Sequence, residues 1–417
     1  MNKKLINAIR NKRAGIIKRI LVVCSAALCI WTPSALGQRT SKPKPKGSVV
    51  TIPLHQSKAV STGLATANAS VTPLPAWNYS VVAYDGNTYS GAIIGRSPYY
   101  NGKTSTTIGT QVIPLVITIS DNSGTVVYDP TAPDDCVPGH NAVEIITKSP
   151  IFTNNNWVMN DVKIGRMQYS DAFQRAEFWS LVGSTPYKLI LKESTLASQA
   201  LSFGNGGTSG PGSNFSPSET GACETVGVVN INDLSAALES LITGPLAGKV
   251  NVGTFPLFLT KNVFAADVGT DLFSNCCALG FHSAFNVGKN IQIYGPFAVD
   301  TANEFGPGFT DTMSHEVLEA IDDPYTNNTT PVWGNQGQVS GCPDSSILEV
   351  GDPLTVGGIK PTSNEFILTQ NGLTYDLQEL AFFSWFYGGP SLGAGGIYSD
   401  NGTFTGHAKP CPPGGTF

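Results

Sequence analysis

Charged residues are scarce in this sequence of 417 residues, where they make up 13% of the chain. Globular domains usually contain roughly 25%. Together with 45 glycines and 28 prolines, this composition favours short strands and many turns over long helices. No Gly-X-Y period and no sustained heptad occurs, which excludes a collagen and a coiled coil. The apolar share of 41% is sufficient for a sizeable core and excludes a wholly disordered chain.

Basic residues are especially few beyond the N-terminal region. Seven of the 25 lysines and arginines lie within residues 1–37, which contain no acidic residue. The remainder of the chain therefore has 18 basic and 30 acidic residues. An acidic body of this kind repels a phosphate backbone, so we expect no nucleic-acid partner. Metal cations and basic ligands are compatible with the same charge.

No stretch beyond the N-terminus reaches about 18 uninterrupted apolar residues, so we expect no membrane span in the mature chain. The apolar run at 20–31 is short, follows a basic stretch and precedes the small residues Ala35 and Gly37. This order is typical of a secretory signal peptide, here residues 1–37. We therefore expect a secreted or periplasmic protein. An uncleaved signal anchor is the alternative.

Cysteines are few, and none of them form a Cys-x-x-Cys pair, which disfavours a zinc ribbon or a thioredoxin-type redox site. An even number remains beyond the signal peptide, and in an oxidising compartment this indicates up to three disulfides. The six are Cys136, Cys223, Cys276, Cys277, Cys342 and Cys411. We expect the neighbours Cys276 and Cys277 to pair with different partners. Free structural thiols are the alternative.

The patterning of the chain predicts an α+β fold with a β-rich N-terminal half and a mixed C-terminal half. Residues 38–60 are polar and rich in lysine and proline, which is typical of a flexible leader. Residues 61–417 form the globular region. A stretch rich in glycine and serine at 203–220 is predicted to be a loop and is a possible seam within it.

Local patterns predict the following elements. β-branched runs between turn signals predict strands at 80–84, 111–119, 125–128, 250–260 and 290–294. Helical patterns predict helices at 171–182, with Asp171 as the N-cap, and at 233–242, 311–321 and 376–386. Pro324 closes the third of these helices.

The predicted helix at 311–321 contains the residue types that metal chemistry needs. His315 and Glu319 are four positions apart, so they lie on one face of the helix about one turn apart. This spacing suits two ligands of one metal ion, and Glu316 lies one step round the helix beside them. In H-E-x-x-H zincins the two histidines bind zinc and the glutamate activates a water molecule. A surface helix with i,i+4 charges, or a buried histidine satisfied by a carboxylate, is the structural alternative.

A third ligand must come from elsewhere in the chain. Glu349 and Asp352 are acidic residues in an otherwise apolar, turn-like context, and a buried carboxylate needs a partner or a metal. His282, one of only five histidines, is a further candidate. The set predicts a divalent metal site with Glu316 as catalytic base. Which of Glu349, Asp352 and His282 completes the site is left open.

Two acidic pairs lie outside this set. Asp322 and Asp323 stand at the C-terminus of the predicted helix, where they oppose the helix dipole, which hints at a cationic group nearby. Asp134 and Asp135 lie in a predicted loop. Either pair could bind calcium, but carboxylates of solvated turns are the favoured interpretation.

The motif resembles a pattern in secreted bacterial proteins, in which a Ser-His-Glu-x-x-Glu-Ala-x-x-Asp-Pro helix precedes a Glu-Ile-Gly-Asp turn. This chain has Ser314-His-Glu-Val-Leu-Glu-Ala-Ile-Asp-Asp-Pro324 and then Leu348-Glu-Val-Gly-Asp352. It is also similar to the plant phosphate-induced (EXORDIUM-like) proteins, which have an upstream Cys-Gly-x-His. The upstream element here is Cys277-Ala-Leu-Gly-Phe-His282. The likeness covers residues 276–354.

This resemblance implies a zincin-like C-terminal half with a metallopeptidase-like site that hydrolyses protein or peptide substrates. Carried over, His315 and Glu319 become ligands, Glu316 the base, and Glu349 or Asp352 a further ligand. We expect zinc, with calcium or manganese as alternatives, because a glutamate replaces the second zincin histidine. The plant proteins are regarded as growth-related wall proteins. The second hypothesis is therefore a non-enzymatic secreted or cell-surface protein with a structural calcium or a relic site, whose partner is cell-surface material.

Overall fold

The computed structural model describes residues 71–100, 102–216, 223–266, 272, 276–306, 308–334, 345–354 and 365–410. The predicted signal peptide and leader, Cys342 and Cys411 lie outside the described residues. Strands outnumber helices, so the predicted β-rich α+β class is confirmed. Within the described ranges, no helix combines the length and the apolar character that a membrane span requires.

The strands are β1 (Ala76–Val82), β2 (Thr88–Ile94), β3 (Ser105–Asp121), β4 (Gly124–Tyr128), β5 (Asn155–Met159), β6 (Val162–Met167), β7 (Lys188–Thr195), β8 (Gln199–Gly204), β9 (Gly212–Phe215), β10 (Val226–Asn230), β11 (Thr254–Lys261), β12 (Val263–Ala266), β13 (Cys276–Ala278), β14 (Ser283–Val287), β15 (Asn290–Val299), β16 (Trp333–Gly334), β17 (Phe366–Gln370), β18 (Leu373–Leu377) and β19 (Lys409–Pro410). The helices are α1 (Ala142–Thr147), α2 (Tyr169–Glu177), α3 (Trp179–Val182), α4 (Ile231–Thr243), α5 (Asp311–Asp322) and α6 (Phe383–Tyr387).

The largest sheet is built around β3, a strand of 17 residues. Its order is β14-β15-β11-β3-β4, and β7 and β8 pair with successive parts of β3. The pairs of β11 with β3 and with β15 are parallel. A parallel strand covered on both faces needs a nearly continuous apolar run, and seven of the eight residues of β11 are buried. The sheet is therefore a rigid support on which the elements that follow it can pack.

A second sheet has the order β13-β12-β10-β9, and its central pair, β10 with β12, is parallel. The amphipathic helix α4 packs against these two strands. Its leucines face a core cluster shared with β3 and β11. Four further strand pairs, β1 with β2, β5 with β6, β17 with β18 and β16 with β19, lie outside both sheets.

Helix α5 confirms the helix predicted at 311–321, and all of its 12 residues are buried. It packs against β15 and contacts α2, β2 and β18. Met313, Val317 and Ile321 join the largest core cluster, so the apolar stripe of the helix faces the sheet. The helix is therefore an interior element and not a surface helix.

The C-terminus of α5 is fixed by two side chains. The carboxylate of Asp323 accepts hydrogen bonds from the backbone N–H groups of Asn327 and Asn328. The side chain of Asn328 then pairs with the backbone of Ala92 in β2: its Oδ1 accepts at 3.0 Å and its Nδ2 donates at 2.7 Å. The side-chain amide of Asn328 thus makes the pair of hydrogen bonds with Ala92 that a residue of a neighbouring strand would make. It joins the end of α5 to the β1–β2 hairpin.

Three local predictions need correction. The helix predicted at 376–386 is wrong, because β18 extends to Leu377 and only Phe383–Tyr387 is helical. Residues 373–377 alternate between buried and less buried positions, which is the period of a strand. The predicted loop at 203–220 contains β9, which pairs with β10. Asp171 is not the N-cap of α2: Gln168 holds that position, and Asp171 instead accepts a hydrogen bond from Leu189 N–H.

Two disulfides lie within the described residues. Cys136 is joined to Cys223, 87 positions away. Cys276 and Cys277 are joined to each other, so the prediction that they pair with different partners is wrong. Their Cα atoms lie 3.0 Å apart and both side chains are buried in one cluster.

Candidate metal centre

The six residues predicted for the metal site come together in the interior, from three separate parts of the chain. His282 lies just before β14, His315, Glu316 and Glu319 lie on α5, and Glu349 and Asp352 lie in the segment 345–354. Five of these side chains are at most 1% exposed. The side chain of Asp352 is 21% exposed, so the cluster reaches solvent on its side.

The first pair of the cluster is formed within the helix. His315 Nε2 lies 2.9 Å from Glu319 Oε1, as the i,i+4 spacing requires. The other ring nitrogen, Nδ1, lies 2.8 Å from Gln378 Oε1, which can only accept, so Nδ1 donates the proton. Gln378 Nε2 in turn donates to Gly351 O at 2.7 Å, which fixes the orientation of the amide. This arrangement directs His315 Nε2 towards the carboxylates, as in metal-ligating histidines.

Glu319 occupies the middle of the cluster. Its Oε1 faces His315 and also accepts hydrogen bonds from Gly351 N–H at 3.1 Å and Asp352 N–H at 3.3 Å. Its Oε2 faces the other imidazole, 3.6 Å from His282 Nδ1. The two oxygens of one carboxylate therefore point towards two different histidines.

Glu316 lies against His282 on the inner side of the helix. Its Oε2 is 3.3 Å from His282 Nδ1, and its Oε1 has no hydrogen-bond partner among the described residues. Gly280 allows this approach, because a Cβ atom there would lie 3.0 Å from Glu316 Cγ. The carboxylate oxygen left without a partner is available to accept a proton.

The segment 345–354 brings the last two carboxylates. Glu349 Oε2 lies 3.9 Å from His282 Nε2, and the side chain of Glu349 also hydrogen-bonds to that of Glu319. Asp352 Oδ1 lies 3.7 Å from His315 Nε2. Gly351 between them packs against the ring of His315, where a Cβ would lie 2.4 Å from Nδ1. Only glycine permits this close passage of the backbone.

Burial and mutual charge govern protonation in the cluster. Burial raises the pKa of Glu349 well above its usual range, raises the pKa of Glu316, and raises the pKa of Asp352 to about 7. Burial acts in the same direction on Glu319, but the charge of His315 outweighs it and lowers the pKa of that carboxyl. Burial alone would lower the pKa of His315, yet the neighbouring Glu319 raises it well above its ordinary value. Charge compensation therefore controls this site.

The donor atoms form two sets of three that could hold a metal ion. One set is His282, Glu319 and Glu349, and the other is His315, Glu319 and Asp352. Within each set all donor atoms lie within 4.8 Å of one another. Imidazole nitrogen and carboxylate oxygen are ligands that zinc and manganese accept, whereas calcium prefers oxygen alone. The residues present therefore fit a divalent cation.

Gln378 was not predicted as part of the centre. It belongs to no motif and lies in the polar stretch Asp376-Leu-Gln-Glu379, so no local signal distinguishes it from its neighbours. Its backbone N–H donates to Ser314 Oγ at 2.9 Å, which docks the end of β18 on the helix. The side chain is thereby placed to orient His315.

At the end of α5, Asp322 lies beside an amide and another carboxyl group instead of the expected cation. Gln174 Nε2 donates to Asp322 Oδ1 and to Glu177 Oε2, at 2.5 and 3.2 Å. Burial raises the pKa of Asp322 to about 8 and that of Glu177 well above its usual range. Asp322 is therefore largely protonated near pH 7. Burial raises the pKa of Asp323 only to about 6, against the charge of His282, so Asp323 keeps its negative charge at the end of the helix.

Two other candidates have structural contacts. Asp134 accepts hydrogen bonds from Cys136 and Val137 N–H and lies 3.8 Å from Lys261 Nζ, so it stabilises a turn.

The chain also contains one Gly-x-Ser-x-Gly, at 389–393. Its Ser391 Oγ donates to Ile397 O, and the segment follows a helix instead of joining a strand to one. It therefore lacks the geometry of a hydrolase nucleophile.

Comparison of the chain with models of known protein families, with curated proteins and with solved structures finds no match. The resemblance to secreted bacterial and plant phosphate-induced proteins therefore stays a prediction.

Proposed function

We propose that this chain is a metal-binding protein whose helix α5 contributes to a centre for the hydrolysis of peptide bonds. The observation that carries the proposal is the convergence of two imidazoles and four carboxylates, five of them at most 1% exposed. Burying such groups together is costly unless a cation compensates the carboxylates. We propose zinc as the resident ion on account of the two imidazoles, with manganese or calcium as alternatives.

The zincin-like part of the fold prediction is proposed on the same basis. Helix α5 carries the His-Glu-x-x-Glu motif, and it packs against β15 of the largest sheet. A helix held on a sheet in this way presents its ligands from a rigid element, which metal sites require.

In the proposed mechanism, a divalent cation at this centre supplies Lewis-acid polarisation of a carbonyl and eases the deprotonation of water. The residues of the chain perform the remaining steps. Glu316 has a carboxylate oxygen without a hydrogen-bond partner in the described chain, and it takes the proton of the attacking water and passes it to the leaving amine. Gln378 holds the ring of His315 in one orientation. Asp352 lies on the solvent side, where a substrate would enter.

Metal analysis tests the binding site. The mature protein is purified and its metal content is measured by mass spectrometry, beside the variants His315→Ala and His407→Ala. His407 is a matched control, because it stacks on Tyr84 outside the cluster. We expect metal in the wild type and in His407→Ala, and its loss in His315→Ala. Equal trace metal in all three proteins would overturn the proposal.

Peptide hydrolysis tests the reaction. We expect the wild type to cleave an unfolded protein such as casein, and Glu316→Gln to lose that activity while it keeps its metal. General bases contribute about 10²- to 10⁴-fold to rates. Retention of full activity by Glu316→Gln would exclude the assigned role of Glu316.

A second candidate function, a non-enzymatic surface protein with a structural metal, is favoured by the burial of the cluster. Glu316 itself is 1% exposed, and its partner His282 is buried as well. On this hypothesis Glu316→Gln lowers the melting temperature strongly and neither form cleaves protein. An unchanged melting temperature with lost proteolysis favours the enzyme.

We also propose that the chain is exported through the signal at 1–37 to the periplasm or the medium. The disulfide Cys136–Cys223 supports this, since such bonds persist in oxidising compartments. Expression of the full sequence in a bacterial host, followed by N-terminal sequencing of the exported protein, should give a chain that begins at Gln38. A full-length chain retained in the cytoplasm would overturn the proposal.

A further inference from the structure

We propose that this centre holds two divalent cations bridged by Glu319. The inner cation lies between His282, Glu319 and Glu349, and the outer cation between His315, Glu319 and Asp352. This inference rests on the proposed metal-binding function and extends it from one ion to two.

The orientation of Glu319 is the first argument. Its Oε1 lies 2.9 Å from His315 Nε2 and its Oε2 lies 3.6 Å from His282 Nδ1. A carboxylate that presents one oxygen to each of two imidazoles has the arrangement of a bridging ligand. The donor atoms likewise form two sets of three within 4.8 Å, and Glu319 is the member common to both.

Charge is the second argument. The centre has four carboxyl groups, those of Glu316, Glu319, Glu349 and Asp352. Within the described part of the chain, no lysine or arginine lies within ion-pair distance of them. Three of the four, Glu319, Glu349 and Asp352, belong to the two donor sets, and one divalent cation compensates only two of these three carboxylates when all are ionised. Buried charge without compensation is strongly disfavoured, so two ions suit this set of ligands better than one.

The inner position also contains a buried polar atom without a hydrogen-bond partner. This atom is His282 Nε2, which lies 3.9 Å from Glu349 Oε2 and belongs to a side chain that is 1% exposed; no hydrogen-bond partner is found for it among the described residues. Buried polar atoms in native proteins are nearly always paired, so such a group needs a specific explanation. A ligand at the inner position provides one.

The two positions differ in access to solvent. All three inner side chains are at most 1% exposed, whereas Asp352 of the outer set is 21% exposed. We therefore assign a structural role to the inner cation, which joins the segment before β14 to α5 and to 345–354. The outer cation exchanges with solvent.

The stoichiometry of zinc tests the inference. The metal-stripped protein is reloaded with zinc alone, freed of excess by gel filtration and analysed by mass spectrometry. We expect about two zinc ions per chain in the wild type and about one in both Asp352→Asn and Glu349→Gln. Glu319→Gln should retain fewer than one. Glu144→Gln, at an exposed helix position far along the chain, is the control and should retain two.

The outcomes separate this inference from the function on which it rests. One zinc ion in the wild type, lost equally in Asp352→Asn and Glu349→Gln, would overturn the two-ion centre and leave metal binding intact. No zinc in the wild type would overturn both.

Removal of zinc from the wild type gives a second test, which does not depend on the folding of any variant. Chelator added to the loaded protein should release zinc in two phases of equal amplitude, the outer ion fast and the inner ion slowly. Release of all zinc in a single phase would overturn the distinction between an exchangeable and an enclosed ion.

Discussion

Glu319 is the residue on which the charge of the centre depends. Burial acts to raise the pKa of every carboxyl in the cluster, but only at Glu319 do the two imidazoles outweigh it. Its carboxylate is also the one that accepts backbone N–H groups, from Gly351 and Asp352. Such hydrogen bonds favour the ionised form of a carboxyl group. Glu319 is therefore ionised, and able to bind a cation, even when no cation is bound.

At Gly351 we predict that a single methyl group disturbs the centre. A Cβ in Gly351→Ala would lie 2.4 Å from His315 Nδ1, so the ring or the segment 345–354 must move. Overpacking of this kind costs about 1–3 kcal/mol, and it also displaces the hydrogen bond to Gln378. Urea unfolding of the loaded protein and its zinc content measure the two effects.

The matched control for this substitution is Gly406→Ala. A Cβ at Gly406 meets no atom within 4 Å, so the substitution should leave stability and zinc content unchanged. Equal stability and equal zinc content in the two variants would show that His315 tolerates a shift of its neighbour.

At Asp171 we predict a pH dependence of stability. Burial raises the pKa of this carboxyl from 3.8 to about 6, so the folded state binds the proton more tightly than the unfolded chain. The stabilisation is complete below the unfolded pKa and is lost as pH rises through the folded pKa. The loss above pH 6 amounts to about 3 kcal/mol. Asp171→Asn cannot ionise and keeps an acceptor for Leu189 N–H.

The measurement is the free energy of unfolding at pH 4 and pH 7. Between these values the wild type should lose about 2 kcal/mol more than Asp171→Asn, because the unfolded carboxyl is already more than half ionised at pH 4. The exposed Asp135 provides the control, because Asp135→Asn should follow the wild type. Parallel curves for the wild type and Asp171→Asn would contradict the assigned role of burial.

Among the elements, α5 depends on how its C-terminus is held. Asn328 satisfies both backbone groups of Ala92 and also donates to Asp322 O at 2.6 Å. In Asn328→Ala these buried groups lose their partners, and we expect a loss of about 3 kcal/mol. Its neighbour Asn327 is exposed, so Asn327→Ala should change stability by less than about 0.5 kcal/mol.

Thermal and urea unfolding measure this difference, and zinc content shows whether the loss reaches the metal ligands. If Asn328→Ala unfolded like Asn327→Ala, the hairpin would have to be held by other contacts. The aromatic contacts of Tyr79 with Phe383 and Tyr387 would then carry that role.

The elements that could be predicted from the sequence are those with a strong local signal. Helix α5 has an amphipathic period and a proline just beyond its end, and its predicted bounds differ from the observed ones by one residue. The hairpin of β17 and β18 was missed, although Asn371 and Gly372 are a turn signal, because the apolar residues beyond Leu377 favour a helix. The pairing of β18 with β17 outweighed this local preference for a helix.

The ligands of the site were predicted from residue type and order, which a sequence displays directly. The orientation of each ligand was not, since it comes from residues with no signature of their own. Gln378 fixes the ring of His315, and Gly351 and Gly280 provide the space for the side chains around it. Such supporting contacts depend on the packing of segments that are far apart in the sequence.

At the scale of the whole molecule, the centre brings together three separate parts of the chain. His282 precedes β14 of the largest sheet, α5 packs against the neighbouring β15, and the segment 345–354 contributes Glu349 and Asp352. The backbone of that segment bonds to Asn328 and Ala381, through Leu348 N–H and Val350 O. A cation held by these three segments therefore stabilises long-range contacts, and metal binding and folding should be coupled.

The two disulfides should differ greatly in their effect on stability. Cys136–Cys223 closes a loop of 87 residues, so its loss restores much chain entropy to the unfolded state. In the chain-entropy description this amounts to about 4.6 kcal/mol. Cys276–Cys277 joins sequence neighbours and closes no loop. Its removal should cost only the packing of two small side chains, about 1–2 kcal/mol.

Urea unfolding of the double variants Cys136→Ala/Cys223→Ala and Cys276→Ala/Cys277→Ala compares the two. Cys136 and Cys223 are less buried than Cys276 and Cys277. If lost packing were the main effect, the Cys276→Ala/Cys277→Ala variant would therefore lose more stability. A larger loss at Cys136 and Cys223 therefore identifies chain entropy as the cause. A larger loss at Cys276 and Cys277 would instead show that the apolar cluster around β13, next to the segment leading to His282, sets the stability of the molecule.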